Sequence, residues 1–212
     1  MRALHDRRAR GLTLVELVFS LALLATLALA AGSVTDRAAD AFQESSANED
    51  LTVRAHAALE RTLEPLAEAE SAALPALDLG SDTITYHRAT GFAGGTQWGP
   101  NTQVGFVYDT GELDDGLDND GDGRVDEGQV VWLENPGQPG ERRLVLATGV
   151  REYLEGETAN GLDDNGNGFV DESGFWISGN GEVLTLRLTL ERLDPKGRLL
   201  LCTVESSSRV RN

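Results

Sequence analysis

The stretch that decides the fold is GLTLVELVFSLALLATLALAA, from Gly11 to Ala31. The part from Leu12 to Ala31 contains no proline or glycine, and Glu16 is its one charged residue. As a helix, this part would extend ~30 Å at ~1.5 Å per residue, which matches the hydrocarbon core of a bilayer. Four arginines lie in the ten residues before it. Because cytoplasmic flanks collect Lys and Arg, we predict one membrane-spanning helix whose N-terminus stays in the cytoplasm.

Three interpretations of this segment are open. A cleaved secretory signal has a basic start, and Ala28-Leu29-Ala30 would suit its cleavage, but this apolar run is long for such a signal and contains Glu16. An uncleaved anchor gives no reason for the glutamate, since a carboxylate in lipid is costly and usually marks function. In the third interpretation, the chain is cut just before the apolar run, which stays on the mature protein.

Gly11 followed by Leu12-Thr13-Leu14-Val15-Glu16-Leu17 resembles the class III leader of type IV prepilins and type II secretion pseudopilins. The resemblance implies that a prepilin peptidase cuts after Gly11 and that Leu12 becomes the N-methylated first residue. Glu16 then matches the family's glutamate at the fifth mature position, while Leu12 replaces the usual phenylalanine. A new α-amino group at Leu12 would neutralise Glu16 of a neighbouring subunit, which lowers the cost of burying both charges.

Composition limits what the protein does. Its 212 residues are enough for one domain with a core and a helical stalk. The net charge is −17, and loss of a leader with four Arg and one Asp would leave about −20. Such acidity argues against nucleic-acid binding, which needs clustered Lys and Arg, and favours cation binding. A single cysteine, Cys202, excludes an internal disulfide framework.

Apolar residues recur at steps of three or four beyond the membrane segment. Because no proline precedes Pro65, we predict one helix from about Leu12 to about Glu64, whose amphipathic second half packs on a soluble domain. The apolar stripe comprises Val34, Ala38, Ala41, Phe42, Leu51, Ala55, Ala58, Leu59, Leu63 and Leu66.

Strand patterns occupy the rest of the chain. We predict strands at 83–88, 103–108, 129–134 and 142–147, with a Gly-rich loop at 90–101. Leucines alternate with polar residues from Leu184 to Leu190, and a turn at Asp194–Gly197 leads into a last strand at 198–204. The predicted fold is α+β, with a long N-terminal transmembrane and stalk helix packed on a small antiparallel β-sheet, as the pilin resemblance also implies. The expected segments are a leader (1–11), the helix (12–66) and a β-rich domain (67–212).

Two acidic segments repeat at an offset of 45 residues, DGLDNDGDGRVDE at 115–127 and NGLDDNGNGFVDE at 160–172. Both resemble the first half of an EF-hand calcium loop, in which alternate side chains direct oxygens at one ion and a glycine permits the turn. The predicted ligands of the first loop are Asp118, Asp120, Asp122, the Arg124 carbonyl, and Asp126 or Glu127. Those of the second loop are Asp163, Asn165, Asn167, the Phe169 carbonyl, and Asp171 or Glu172.

The loops depart from an EF-hand at position twelve, where Gln129 and Gly174 replace the bidentate glutamate, and flanking helices are not evident. We therefore predict calcium-binding insertions at 115–129 and 160–174 that hold one or two ions and are closed by an early carboxylate. The alternative is that Asn-Gly and Asp-Gly pairs only make turns. Turns do not need so many carboxylates, which repel one another without a cation. Oxygen ligands without His or Cys argue against zinc or copper.

Together these patterns predict a minor pilin or pseudopilin, a structural subunit of a type II secretion pseudopilus or a type IV pilus, and not an enzyme. It would cross the bacterial inner membrane once, place its C-terminal domain in the periplasm and assemble with other pilin subunits after cleavage by prepilin peptidase. Its tail, Val204 to Asn212, resembles that of J-type minor pseudopilins. The alternative is a secreted or periplasmic calcium-binding module with a conventional signal, whose mature chain would start near Ala31.

Overall fold

The computed structural model describes residues 13–70, 74, 77–179 and 182–210. This part of the chain forms one α-helix followed by eight β-strands. The elements are α1 (Leu14–Leu66), β1 (Leu77–Ser81), β2 (Thr83–Phe92), β3 (Thr96–Tyr108), β4 (Gly128–Glu134), β5 (Arg142–Val150), β6 (Phe175–Gly179), β7 (Val183–Leu193) and β8 (Leu199–Arg209).

The chain divides into two units, residues 1–45 and residues 46–212, and α1 begins in the first and ends in the second. In the first unit, the large apolar side chains of the helix from Leu14 to Leu29 are all at least 50% exposed. This stretch is long and apolar enough to cross a membrane. Its exposed apolar surface fits a helix whose surroundings are lipid or other helices.

The helix ends as the proline predicts. Pro65 lies in the last turn of α1. Because proline has no N–H to donate and its ring crowds the preceding turn, the helix ends there. The chain then tightens, with the N–H groups of Glu68 and Ala69 donating to the carbonyls of Pro65 and Leu66 at 3.2 and 3.1 Å. The helix extends two residues beyond the predicted end at Glu64.

All strand pairs of the sheet are antiparallel, and the strand order is β1-β6-β7-β5-β4-β3-β2, with β8 also paired to β7. The hairpin of β7 and β8 is in register from Val183–Arg209 to Leu193–Leu199. The predicted arrangement, a long N-terminal helix with an antiparallel sheet in an α+β fold, is confirmed.

The core lies between the sheet and the second half of α1. Leu184, Leu186, Leu188 and Leu190 of β7 are at most 3% exposed and share one buried cluster with α1 residues from Leu51 onward. Burying one leucine stabilises a protein by about 1.5–3 kcal/mol, so this contact is a main source of stability. It confirms that the leucine face of the hairpin packs on the helix.

Two expectations about the helix and the sheet are wrong. The early part of the apolar stripe is not core, because Val34 is 66% and Phe42 75% exposed, and burial begins at Leu51. The segment at 90–101 is not a loop but mostly strand, with only residues 93–95 between β2 and β3. Gly94 and Gly95 lie in this turn, while Gly91 and Gly99 fall where the register of the hairpin shifts, so strand pairing overrides the local preference of these two glycines for loops.

Candidate functional site

Glu16 lies in the first turn of α1, where its carboxylate binds Thr13. Oε2 of Glu16 accepts hydrogen bonds from the backbone N–H and the hydroxyl of Thr13, both at 2.9 Å. In return, the Glu16 N–H donates to Thr13 Oγ1 at 3.3 Å. This reciprocal arrangement is a capping box, which satisfies backbone donors that the start of a helix leaves free.

The capping box gives Glu16 a role within its own helix. Gly11 and Leu12, at the predicted cleavage site, lie outside the described residues, so their roles stay predictions. The expectation that an uncleaved anchor leaves Glu16 without a role is wrong, because the carboxylate caps its own helix. Sequence analysis missed Thr13, although a Thr-x-x-Glu pattern before an apolar run is a known signal for a capping box.

The two acidic loops have the same base. The first joins β3 to β4 and the second joins β5 to β6, and neither contains a helix. The Asp109 N–H donates to the Glu127 carbonyl at 3.1 Å, and the Leu154 N–H donates to the Glu172 carbonyl at 2.9 Å. The donor and the acceptor of the second bond each lie 45 residues after those of the first bond. The repeated sequence therefore folds in the same way twice.

The first predicted ligand of each loop holds the following turn. Asp118 accepts the N–H groups of Gly121 and Gly123 at 2.6 and 2.9 Å. Asp163 accepts those of Gly166 and Gly168 at 2.6 and 2.8 Å. All four glycines have a positive φ, which a residue with a side chain rarely adopts.

Of the two closing carboxylates proposed for each loop, the first has a structural task. Asp126 Oδ2 accepts the Gly116 N–H at 2.7 Å, and Asp171 accepts the Gly161 N–H at 3.0 Å. Both aspartates have positive φ, near 50°. The neighbouring glutamates, Glu127 and Glu172, are both fully buried. The geometry thus favours Glu127 and Glu172 as the residues that face the loop centres.

Two further glutamates, Glu112 and Glu157, support the loops from upstream. They are 5% and 2% exposed. Oε1 of Glu112 accepts the Asp120 N–H at 2.8 Å, and Oε1 of Glu157 accepts the equivalent Asn165 N–H at 2.9 Å. Neither glutamate was predicted as part of the loops, because both lie upstream of the repeat at 115–127 and 160–172. A shared Tyr-x-x-Gly-Glu, beginning at Tyr108 and Tyr153, shows that the repeat starts earlier.

Carboxylates converge at the centre of the first loop. Asp120, Asp122 and Glu127 each offer an oxygen within 4.8 Å of the others, and Glu112, Asp118 and Asp120 form a second such group. Among the residues that the structure describes, none donates a hydrogen bond to either oxygen of Glu127. Oxygen-rich clusters of this kind suit a hard divalent cation. The carbonyl ligands predicted at Arg124 and Phe169 stay predictions.

The Arg124 side chain lies inside this carboxylate cluster, which sequence analysis did not foresee. Its Nε is 3.0 Å from Asp122 Oδ2, its Nη2 also contacts that oxygen, and Nη2 is 3.0 Å from Glu127 Oε1. Burial raises the pKa of Glu127 from 4.5 to about 7, and the attraction of Arg124 offsets only part of this effect. Arg124 therefore compensates only part of the cost of burying Glu127.

The centre of the second loop is filled by amides. Asn165 Nδ2 donates to Glu172 Oε2 at 3.2 Å, and Asn167 Nδ2 donates to both Glu172 oxygens at 2.9 Å. Arg187 of β7 also reaches Glu172, at 3.2 Å from Oε1. The guanidinium of Arg187 stacks on Phe169, 5.5 Å from its ring centroid, which attaches this loop to the sheet.

Position twelve of each loop has a structural role in the base of the loop. Gln129 lies in β4, paired with Val107 and Thr148. The Gly174 N–H donates to the Glu152 carbonyl at 2.7 Å, and a side chain at this position would collide with the backbone of Arg151. The departure from the EF-hand pattern is thus built into the fold.

The buried Glu127 predicts an unusual pH dependence. In chelator, the free energy of unfolding should fall as pH rises from 5 towards 8, because the folded state binds the Glu127 proton more tightly than the unfolded state. Denaturant unfolding of the wild type and of Glu127→Gln at several pH values measures this contribution. The variant should lose less stability over this range, and identical slopes for the two proteins would contradict the raised pKa.

Comparison with known families identifies the N-terminal segment. Residues 6–32 match the family described as the prokaryotic N-terminal methylation motif. The chain therefore carries the class III leader predicted from its sequence, as type IV pilins and pseudopilins do. The match covers the second half of the leader and the whole apolar run, and it points to a structural subunit. Comparisons with curated proteins and with solved structures found no match.

Proposed function

We propose that the protein is a minor pilin or pseudopilin, which assembles through its N-terminal helix into a type II secretion pseudopilus or a type IV pilus. The observation that carries this proposal is the methylation motif at residues 6–32, which overlaps the start of a helix whose large apolar side chains from Leu14 to Leu29 are exposed. An anchored subunit keeps this helix in the bacterial inner membrane, with the sheet domain in the periplasm. Assembly then exchanges lipid contacts for contacts with other subunits.

Calcium stabilises the sheet domain in this proposal. The oxygen-rich centre of the first loop supports it, with Asp120, Asp122 and Glu127 as its core and Glu112 and Asp118 beside them. A bound ion would offset the repulsion among these carboxylates and join the base of the loop to its tip. The chemistry that the ion supplies is structural cross-linking.

A secreted calcium-binding module with a conventional signal is the second candidate. The loops fit it equally well, and Ala28-Leu29-Ala30 supplies a small-residue cleavage site. The two candidates differ in where the mature chain begins.

Mass spectrometry of the membrane fraction should show a mature chain that begins at Leu12 and carries an N-terminal methyl group. The expected cut follows Gly11, so Gly11→Val should leave the leader attached. Ala30→Leu is the matched control, because it alters the other cleavage site and should leave processing unchanged. A mature chain that starts near Ala31, or processing blocked by Ala30→Leu alone, would support the secreted module instead.

A further inference from the structure

We infer that the two acidic loops are not equivalent, and that the protein binds one calcium-like divalent cation, in the first loop. The second loop keeps the same shape without an ion, because its own amides donate the hydrogen bonds that replace it. This inference rests on the proposed calcium role and narrows it from one or two ions to one.

The two loops differ in charge. The first loop collects five acidic side chains (Glu112, Asp118, Asp120, Asp122 and Glu127) against one arginine, Arg124. The equivalent positions of the second loop hold three acidic side chains, Glu157, Asp163 and Glu172, with Arg187 beside them. A divalent cation in the first loop would lower its excess of four negative charges to the two that the second loop has without an ion.

Hydrogen bonding separates them again. Glu127 of the first loop is fully buried, and within the described chain neither of its oxygens accepts a hydrogen bond, although Arg124 lies 3.0 Å from Oε1. Its counterpart, Glu172, accepts three bonds from Asn165 and Asn167 and a fourth from Arg187. Because a buried carboxylate that accepts no hydrogen bond is costly, Glu127 favours a further ligand in the first loop, whereas Glu172 is already satisfied in the second.

The turns explain why aspartate and asparagine act differently here. Asp120 Oδ1 accepts the Asp122 N–H at 2.9 Å, and Asn165 Oδ1 accepts the Asn167 N–H at 3.0 Å. In both loops, this bond uses Oδ1, one of the two terminal atoms of the side chain. The other atom is a free oxygen in the aspartate but an N–H₂ donor in the asparagine. A carboxylate oxygen can bind a cation, whereas an amide N–H can donate a hydrogen bond to Glu172.

Arg124 does not replace the ion in this scheme. Its guanidinium contacts Asp122, and its closest contact to Glu127 is the one with Oε1. Glu191, which is 6% exposed and has an unpartnered Oε1, lies near enough to attract Arg124. Glu191 could therefore pair with the guanidinium of Arg124 when Asp122 binds an ion.

Glu157 Oε2 is the one unpartnered carboxylate oxygen that the second loop buries within the described chain. Its counterpart in the first loop, Glu112 Oε2, accepts the backbone N–H of Asp126 at 3.2 Å. This oxygen therefore corresponds to a backbone-facing position and not to one that faces an ion.

The number of ions bound tests the inference. Isothermal titration calorimetry with calcium chloride, on the full-length chain purified in detergent, should give one ion per chain. Asp120→Asn with Asp122→Asn gives the first loop the amides of the second and should reduce this number to zero. Asn165→Asp with Asn167→Asp makes the opposite exchange and should raise it to two. Circular dichroism in chelator checks that each variant is folded.

Each result has a distinct meaning. Two ions on the wild type, or one ion that survives the Asp120→Asn, Asp122→Asn exchange, would overturn the inference and leave the proposed calcium role standing. No binding to the wild type would overturn both. If the first exchange prevents folding, one ion on the wild type and two on the Asn165→Asp, Asn167→Asp variant still support the inference, and one ion on that variant overturns it.

Discussion

Replacing Glu16 with alanine is expected to lower incorporation of the protein into filaments about a hundredfold, while membrane insertion stays intact or improves. In the proposed assembly, Glu16 neutralises the α-amino group at Leu12 of a neighbouring subunit. Removing one partner of a buried charge pair costs about 3–5 kcal/mol, which corresponds to at least this factor. The amount of the protein in sheared filaments, relative to the membrane fraction, measures the effect.

The capping box supplies two matched controls. Glu16→Gln keeps an oxygen that can accept the Thr13 bonds but removes the charge, so it should assemble as poorly as alanine. Thr13→Val keeps the charge and loses the hydroxyl of the cap, which costs about 0.5–2 kcal/mol of helix stability but leaves the assembly contact. If Glu16→Gln assembles normally, the glutamate acts as a helix cap and not as an assembly contact.

The fold was predictable where one pattern is long or strongly periodic. The apolar run and the leucine alternation of β7 each specify an element and the face that it buries. Their pairing also followed, since the leucine face needs an apolar partner and the stalk supplies one.

Other elements depend on partners that a local pattern does not reveal. Strands β1 and β6 have five residues each, and β6 is held by pairing with β7. Val34 and Phe42 continue the apolar period of the helix, yet nothing in the described chain buries them. Periodicity shows which face of a helix is apolar but not where along the helix a partner begins.

The same distinction applies to the acidic loops. Residues of the Asp-x-Asp-x-Asp-Gly pattern are neighbours in the chain, so sequence spacing alone predicts that they lie close together. Glu112 approaches from upstream through a hydrogen bond to Asp120, and Arg187 reaches the second loop from β7. The contact of Glu112 could be predicted, because the sequence upstream of the two loops also repeats at the 45-residue offset. The contact of Arg187 could not, because it depends on how the sheet folds.

Calcium is expected to raise the melting temperature of the protein by about 5–10 °C relative to chelator. A ligand that binds only the folded state stabilises it by about 2.7 kcal/mol at 100 times its Kd. For a domain of this size, each kcal/mol shifts melting by about 2–4 °C. Magnesium should stabilise less, because it prefers strict octahedral geometry and retains its waters, whereas calcium accepts the many oxygen ligands that these carboxylates offer. Calorimetric melting in calcium, magnesium and chelator measures the three cases.

Asp118→Ala with Asp122→Ala should remove the calcium-dependent part of this shift. Because Asp118 also caps Gly121 and Gly123, the variant will melt lower than the wild type even in chelator, and only the difference between the two conditions reports the ion. Asp163→Ala is the matched control at the second loop, where the same cap is lost. It should lower melting equally in calcium and in chelator, because no ion is expected there. A wild type that melts at the same temperature in both conditions would show that the loops are acidic turns, held by hydrogen bonds alone.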